Sequence, residues 1–525
     1  MLRELCLSGV VLALAVGLAV FMLPFPGDAI KSKISTRLSW LSALFSLLSA
    51  VFVAWRGPFS LIVVGTHAHP AIGLLANRFT VTLLLLISVV GAVIQTFSVR
   101  YLQAEQNAAR FFAGADAVTI SMAIVATSIT VTVLSAAWIL AGAAFVAVIR
   151  YRPDLPGVKE SARRTMKAFV FGDTALLVAS VIVFMRMGNV DLAAVPRHIS
   201  AANTGFFADL IAVLIVVAAL TRSAQGFLGR WLPDSIAAPT PVSALLHAGV
   251  VNGGGILLIR LSVVTGNSLF AMSLAFAVAM ATATVANALM GKKADVKGSL
   301  AFSTMGQMGF MIAECSVGLY LAAVIHLIGH AMYKATLFFG SGSQISAAKG
   351  ISATSAPLFV RVPSAALTAA ATAGVATLMG GLADQRGLPL ILFVAVTAAS
   401  AAWSWWSRRP ASFRIALLGT ALFVLLGACY GLMVGGLGRW IAPALPAAGS
   451  GTLDARWLLS LAVAGFAVAV LLRISPVRIR AAALLLDMAT PSLGRRKGAG
   501  KKKEISYIGK QDIREPVSAY AGDAP

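Results

Sequence analysis

Cysteine is almost missing from this 525-residue chain and acidic residues are few, 19 against 42 lysines and arginines. Cys6, Cys315 and Cys429 are scattered, with no CxxC and no His/Cys spacing that could hold zinc, haem or an iron-sulfur cluster, so no redox cofactor is implied. No GxGxxG stands at a strand-to-helix junction and no GxxxxGK[ST] loop occurs, which leaves nucleotide binding without support. Charge of either sign is sparse as well. Only 12% of residues are charged, 59% are hydrophobic and the mean hydropathy is +0.88, which excludes an ordinary soluble globule. The apolar runs do not alternate as barrel strands would, so a transmembrane barrel is excluded too.

What is there is a succession of runs long enough to cross a bilayer as helices. We place spans near 5–24, 35–54, 79–98, 113–130, 132–149, 168–186, 206–221, 240–259, 267–288, 298–313, 316–340, 363–382, 388–407, 412–435 and 456–472. The fold class is therefore all-α, a polytopic membrane helical bundle of about fifteen transmembrane helices. The first run, Cys6 to Leu23, has the length of a signal-peptide core but no basic region of weight before it, and is read as a retained helix.

Assigning loops alternately to the two sides gathers Lys31, Lys33, Arg37, Arg100, Arg110, Arg150, Arg152, Arg163, Arg164, Lys292, Lys293, Lys297, Arg408, Arg409 and the basic tail on one side. That bias marks the cytoplasmic face, with the amino terminus outside and the carboxyl terminus inside. It also accounts for the net charge of +23 without nucleic acid, because the basic residues alternate with spans instead of forming a stripe with interleaved aromatics. The tail from Arg473, with its Gly, Lys and Arg run from Gly494 to Lys503, either lies on anionic lipid, at about 1 kcal/mol per basic residue, or docks a soluble partner.

Within the apolar runs lies a seam of ionisable groups: Lys167, Arg222, His247, His326, His330 and Lys334. Such groups are costly in hydrocarbon and mark routes for ions or protons. One segment, Ala237 to Arg260, opens with Pro239 and Pro241, which set a helix start, and carries Ser243 and His247 on one helical face before Asn252 and Gly253-Gly254-Gly255. A histidine titrates near pH 6.5, so His247 reads either as a proton carrier or as a neutral hydrogen-bonded group in a helix contact. A second segment holds His326, His330 and Lys334 at spacings of four, a ladder on one helix face. Three cations in lipid would repel, so some are neutral and the row can store and hand on a charge. His326 and His330 without HExxH or a further ligand are a weak metal signal. Lys167 is either a snorkelling anchor or part of the conduit. Asp173 and Asp209 are the surviving intramembrane carboxylates, Glu314 reads as a solvated cap near a span end, and His67 and His69 read as loop residues.

These segments, with Arg110-Phe111-Phe112, Met166-Lys-Ala-Phe-Val170, Gly172-Asp173 and Ser223-Ala-Gln225, resemble the antiporter-like subunits shared by respiratory complex I and the Mrp-type cation/proton antiporters. The resemblance implies two inverted five-helix repeats with broken helices, and a central proton-conducting chain that would here comprise Arg222, His247, His326, His330 and Lys334. It divides the chain into amino-terminal helices (1–112), a first repeat (113–260), a second repeat (261–410), carboxy-terminal helices (411–472) and a basic cytoplasmic tail (473–525). Three departures stand out. Trp138-Ile139 replaces the family's Trp-Glu, so the acidic partner of the proton-bearing lysine is gone, and Asp173 or Asp209 supplies one if the conduit needs it; Arg222 replaces a lysine and cannot relay a proton; and the Lys-Asp-Glu signature of the twelfth helix is absent, with Asp384 and Arg386 nearby.

Within the superfamily, the segment from His247 to Ser262, Gln307 to Cys315 and His330 to Ala335 are most similar to the DabB-type subunit of a bacterial inorganic-carbon accumulation complex. That resemblance implies a DabA-type zinc-containing partner with a carbonic-anhydrase-like site, a location in the bacterial inner membrane, and protons or Na+ as the ion moved. No catalytic site and no cofactor are expected in this chain itself. An Mrp-type antiporter subunit, a subunit of a complex I-like quinone oxidoreductase, and a non-conducting scaffold are the alternatives.

Overall fold

A computed structural model describes residues 2–24, 27–66, 70–105, 107–189, 191–192, 205–235, 238–290, 293, 295–340, 356–379, 387–407, 413–447, 449–450 and 452–453. The helices are α1 (Leu2–Val20), α2 (Asp28–Arg56), α3 (Arg78–Tyr101), α4 (Ala108–Thr127), α5 (Val131–Ile149), α6 (Val158–Met187), α7 (Gly205–Arg222), α8 (Thr240–Ala248), α9 (Gly253–Arg260), α10 (Leu269–Met290), α11 (Val296–Ser316), α12 (Tyr320–Phe339), α13 (Leu358–Leu378), α14 (Gly387–Trp406) and α15 (Phe413–Ile441). Among the described residues twelve helical stretches are long and apolar enough to cross a membrane. The chain is a multi-pass, all-α membrane protein. The fifteen spans expected differ from these twelve at three places. The span at 456–472 lies outside the described residues, as do the tail, Asp384, Arg386, Arg408, Arg409, His67 and His69. Helix α14 is helical but is not among the twelve, and α11 is excluded by its own polarity, for Lys297, Ser299, Thr304, Gln307 and Glu314 all lie on it.

Local chemistry sets several helix starts. Asn77 and Thr80 form a capping box at α3, each side chain bonding the other's backbone N–H at 2.9 Å. Asp295 caps α11 by accepting from the Gly298 N–H at 2.6 Å, and Pro241 sits in the first turn of α8, where its missing donor costs nothing. The span expected at 240–259 is not continuous. It breaks between α8 and α9 at Gly249, followed by a 3-10 turn over Val250–Asn252. Helix α7 also stops at Arg222, before a 3-10 turn (Gly226–Gly229) and the single helical turn Trp231–Asp234.

Between α2 and α3, where the sequence suggests a loop, stands an antiparallel hairpin, β1 (Phe59–Gly65) with β2 (Pro70–Ala76), pairing Phe59 with Ala76 and Leu61 with Leu74. Its branched residues Ile62, Val63 and Val64 suit a pleated strand, and Pro70 begins β2 where a missing N–H is tolerated. Phe59, Leu74 and Ala76 pack with Leu7, Val10, Val53, Val81 and Leu84 in a small apolar core.

Packing is inverted relative to a soluble protein. Leu44, Leu47, Val51 and Trp55 of α2 and Val170, Phe171, Val181 and Phe184 of α6 are exposed, as lipid contact requires, whereas the α2 serines Ser35, Ser39, Ser42 and Ser46, His247, His326, His330 and the Arg222–Asp173 pair are buried. Close helix approach replaces the hydrophobic effect between spans. At Gly254, where α9 crosses α7, an added Cβ would meet Ser223 Oγ at 2.2 Å and the Ala219 carbonyl at 2.4 Å. Backbone stands on one side of that contact and cannot move aside. Gly254→Val should therefore lower the thermal unfolding temperature of the detergent-purified protein, at a cost of at least about 1–3 kcal/mol; unchanged unfolding would refute this packing.

Candidate functional site: a buried polar row

Arg222, at the end of α7, is a fully buried charge, 1% exposed. Its Nη2 donates to Asp173 Oδ1 of α6 at 2.7 Å and to the Trp138 carbonyl of α5 at 3.2 Å. The guanidinium plane lies between two rings, 4.4 Å from the Trp138 centroid and 4.3 Å from that of Phe169. Planar, weakly hydrated arginine suits such stacking, and a lysine ammonium would not fill it in the same way. Gly142 makes the room, since a Cβ there would stand 2.8 Å from Arg222 Nη2 and 3.1 Å from Asp173 Oδ2. The carboxylate paired with Arg222 is thus Asp173, on the helix that follows Ile139. Asp209 lies exposed near the start of α7, thirteen residues and about 20 Å of helix from Arg222, and is not that partner. Lys167 is also exposed, on α6, and lies outside the buried row.

The break after Arg222 ties this pair to the second segment. Ser223 Oγ donates to the Val251 carbonyl at 2.8 Å, satisfying an oxygen freed by the α8–α9 interruption, and Gln225 Nε2 donates to the Met305 carbonyl of α11 at 3.2 Å. Irregular backbone at membrane depth is tolerated where protein groups cover it in this way.

His326, His330, Lys334 and Phe338 follow one another up one face of α12, and all four are buried. His326 uses both ring nitrogens, Nδ1 to Glu314 Oε2 at 3.0 Å and Nε2 to Gln307 Oε1 at 2.8 Å. Glu314 is 2% exposed, so it is not the solvated cap expected from its place near a span end. The chain turns at Val317–Leu319 and brings the carboxylate back against α12. The amide of Gln307 can present oxygen or nitrogen to the ring. The Glu314–His326 pair can therefore hold one proton or two without losing a hydrogen bond. The His326 and His330 rings stand 6.4 Å apart, and His330 Nδ1 bonds Asn252 Oδ1 at 3.1 Å, at the end of the broken segment.

Further along, Lys334 Nζ donates to the Leu300 carbonyl at 3.3 Å. Thr304 Oγ1 donates to that same carbonyl at 3.0 Å and also contacts His247 Nδ1 at 3.0 Å. His247 in turn stacks on Phe338, centroids 4.5 Å apart and planes 16° from parallel. Of the eight ionisable residues singled out from sequence, His247, His326, His330 and Lys334 converge on one row, Arg222 and Asp173 form a fixed pair beside it, and Lys167 and Asp209 stand apart. Sequence reasoning gave no part to Thr304, Gln307, Phe169 and Phe338 and misplaced Glu314. The signal for the α11 residues was available: Thr304, Gln307 and Glu314 are spaced three and seven apart, which is one helix face.

With this geometry in view, comparison with known proteins is direct. Residues 126–380 match the family model described as NADH:quinone oxidoreductase/Mrp antiporter, TM, and residues 62–112 match NADH-Ubiquinone oxidoreductase (complex I), chain 5 N-terminus. The chain is 31% identical to the probable inorganic carbon transporter subunit DabB2 of Halothiobacillus neapolitanus, over 72% of this chain and 71% of that protein. The chain belongs to the DabB family of antiporter-like membrane subunits. It is also 31% identical to DabB1 of the same organism, over 61% of this chain but only 59% of that protein, and 34% identical to DabB of Bacillus subtilis over 49% and 51%. The chain thus spans little more than half the length of some of the curated relatives it matches. In fold it is similar to a chain of the Mrp complex from Dietzia sp. (TM-score 0.61, 23% identity, 93% of this chain and 60% of that one). It is also similar to a chain of the archaeal membrane-bound sulfane sulfur reductase (TM-score 0.64, 18% identity, 88% and 99%).

The Arg222–Asp173 pair generates a stability test that is independent of transport. Asp173→Asn leaves a buried guanidinium uncompensated and should destabilise the purified protein by about 3–5 kcal/mol, while Asp173→Asn combined with Arg222→Gln should cost less than the single change. Equal unfolding temperatures for the single variant and the parent would show that the pair holds nothing together.

Proposed function

We propose that this protein is the ion-conducting membrane subunit of an inorganic-carbon transporter, moving protons along the row His247, Thr304, Lys334, His330, His326 and Glu314. The observation that carries this reading is the burial of that row: four basic side chains within hydrogen-bonded surroundings, the α12 ladder 5–6 Å per step by helix geometry. Groups of this kind at membrane depth exchange protons in relays. Arg222 keeps its charge at any physiological pH, so its role is to set a fixed positive potential beside the relay, balanced by Asp173.

The names of the DabB relatives support inorganic carbon as the transported class. On this reading the chain sits in the bacterial inner membrane, amino terminus outside and carboxyl terminus in the cytoplasm. Its basic tail contacts anionic lipid or a soluble partner. That partner is a DabA-type zinc-containing subunit in which CO2 is hydrated, and the flow of protons, or Na+, through this chain makes the hydration effectively one-way. The expected repeats, 113–260 and 261–410, organise the two halves of the path.

Lys334→Ala should reduce gradient-dependent bicarbonate accumulation to the level of cells lacking the chain, with the amount of assembled complex unchanged. Normal accumulation by that variant would demote the row to structure. Purifying the tagged chain with whatever accompanies it should yield stoichiometric zinc in a second, larger polypeptide. Sodium movement driven by ΔpH, with no such partner, would favour an Mrp-type antiporter subunit instead.

A further inference from the structure

A second buried carboxylate lies away from the row, in the amino-terminal helices. Asp116 of α4 is fully buried among α1, α2 and α3. Its oxygens meet three partners: Oδ2 stands 2.6 Å from Ser35 Oγ, and Oδ1 stands 2.6 Å from Gln95 Nε2 and 3.4 Å from Ser39 Oγ. Ser35 Oγ in turn stands 2.9 Å from Gln95 Oε1. The three groups Asp116, Ser35 and Gln95 therefore close a ring of three heavy-atom contacts, each at hydrogen-bonding distance.

Counting hydrogens around that ring decides its state. Every contact needs one hydrogen, or two acceptors face each other without one. The Ser35 hydroxyl supplies one and the Gln95 amide supplies one toward the ring. Turning the amide over does not help. The amide then donates to Ser35 and the hydroxyl to Asp116 Oδ2, but the 2.6 Å contact between Gln95 and Asp116 becomes oxygen against oxygen. In either orientation the third hydrogen has one available source, the carboxyl group.

No cation substitutes for it. Among the described residues none is ion-paired with Asp116. On α1, an added Cβ at Gly17 would lie 3.0 Å from Oδ2, while Arg3 and Glu4 are at the far end of that helix, about 20 Å away. On α2, Lys31 is buried but its Nζ donates to the Leu23 carbonyl at 2.7 Å, and Asp28, Lys33 and Arg37 are exposed. Arg100 of α3 and Arg110 of α4 are exposed, and Arg78 is about 25 Å along α3 from Gln95.

We infer that Asp116 is a second proton-binding site of this protein, separate from the histidine–lysine row, occupied by a proton that closes the ring with Ser35 and Gln95. The buried hydroxyls that continue along the same face of α2 give this proton a polar route in place of lipid. Ser42 and Ser46 both bond Ser88 of α3, at 3.4 and 2.9 Å. The site does not depend on the row and stands or falls separately from it.

Infrared difference spectra of the full chain in lipid at neutral pH test the assignment. Asp116→Asn can supply the missing hydrogen from its own amide, so it should unfold at the temperature of the parent. It should lose one protonated-carboxyl carbonyl band that shifts in D2O. Ser35→Ala, which keeps the acid but removes its partner, should shift that band. If Asp116→Asn instead loses ionised-carboxylate bands, or its protonated-carboxyl region superimposes on that of the parent, the proton is not there and the inference fails.

Discussion

A guanidinium that cannot shed its proton is the constraint around which the first half of the chain is organised. In hydrocarbon an isolated charge costs many times what a hydrogen bond returns, so Arg222 requires an anion, a carbonyl and polarisable walls at once. Two neighbouring helices supply them: Asp173 and Phe169 from α6, and the Trp138 carbonyl and ring from α5. Helices α5, α6 and α7 must then sit in one register, and Gly142 is the position that lets them close on the pair.

The second constraint is backbone. Breaking α7 after Arg222 and interrupting the next span between α8 and α9 frees carbonyls and amides that lipid cannot satisfy. They are covered by side chains at the breaks themselves, Ser223 on the Val251 carbonyl, Gln225 on the Ser223 carbonyl and Asn252 on the Ala248 carbonyl. The residues that repair the backbone also touch the site: Ser223 follows Arg222 in the chain, and Asn252, which covers the Ala248 carbonyl, bonds His330 of the row. Opening the helices and assembling the polar row are therefore one structural event.

Helical periodicity made part of this legible in advance. Spacings of four placed His326, His330 and Lys334 on one face, and Pro239 and Pro241 marked the start of α8, because both signals act within a single helix. Partners between helices left no such trace: nothing local in the sequence distinguishes Asp173, which meets Arg222, from Asp209, which is exposed. Lys167 was drawn into the seam for the same reason, since a basic residue in an apolar run does not state which way its helix is turned. Glu314 was misjudged because distance from the end of a run was taken for depth, whereas a tight turn folds that end back against α12. Asp116 went unnoticed since its ring joins α2, α3 and α4 across as many as 81 residues of chain.

Two kinds of buried positive group remain, and their surroundings assign them different work. Arg222 faces a carboxylate at 2.7 Å, so removing its charge would strand an anion; the pair is fixed. Among the described residues Lys334 has one hydrogen-bond acceptor, a neutral carbonyl oxygen at 3.3 Å that it shares with Thr304. A lysine that gives up a proton there leaves no unbalanced charge, and the carbonyl keeps its bond from Thr304. At the other end of the row, Gln307 can turn its amide to follow whichever protonation state His326 and Glu314 adopt. A relay needs groups that are indifferent to carrying one proton more or less, bounded by a charge that is not. On the function proposed above, the row and the Arg222–Asp173 pair divide those two requirements between α12 with α11 on one side and α5 to α7 on the other.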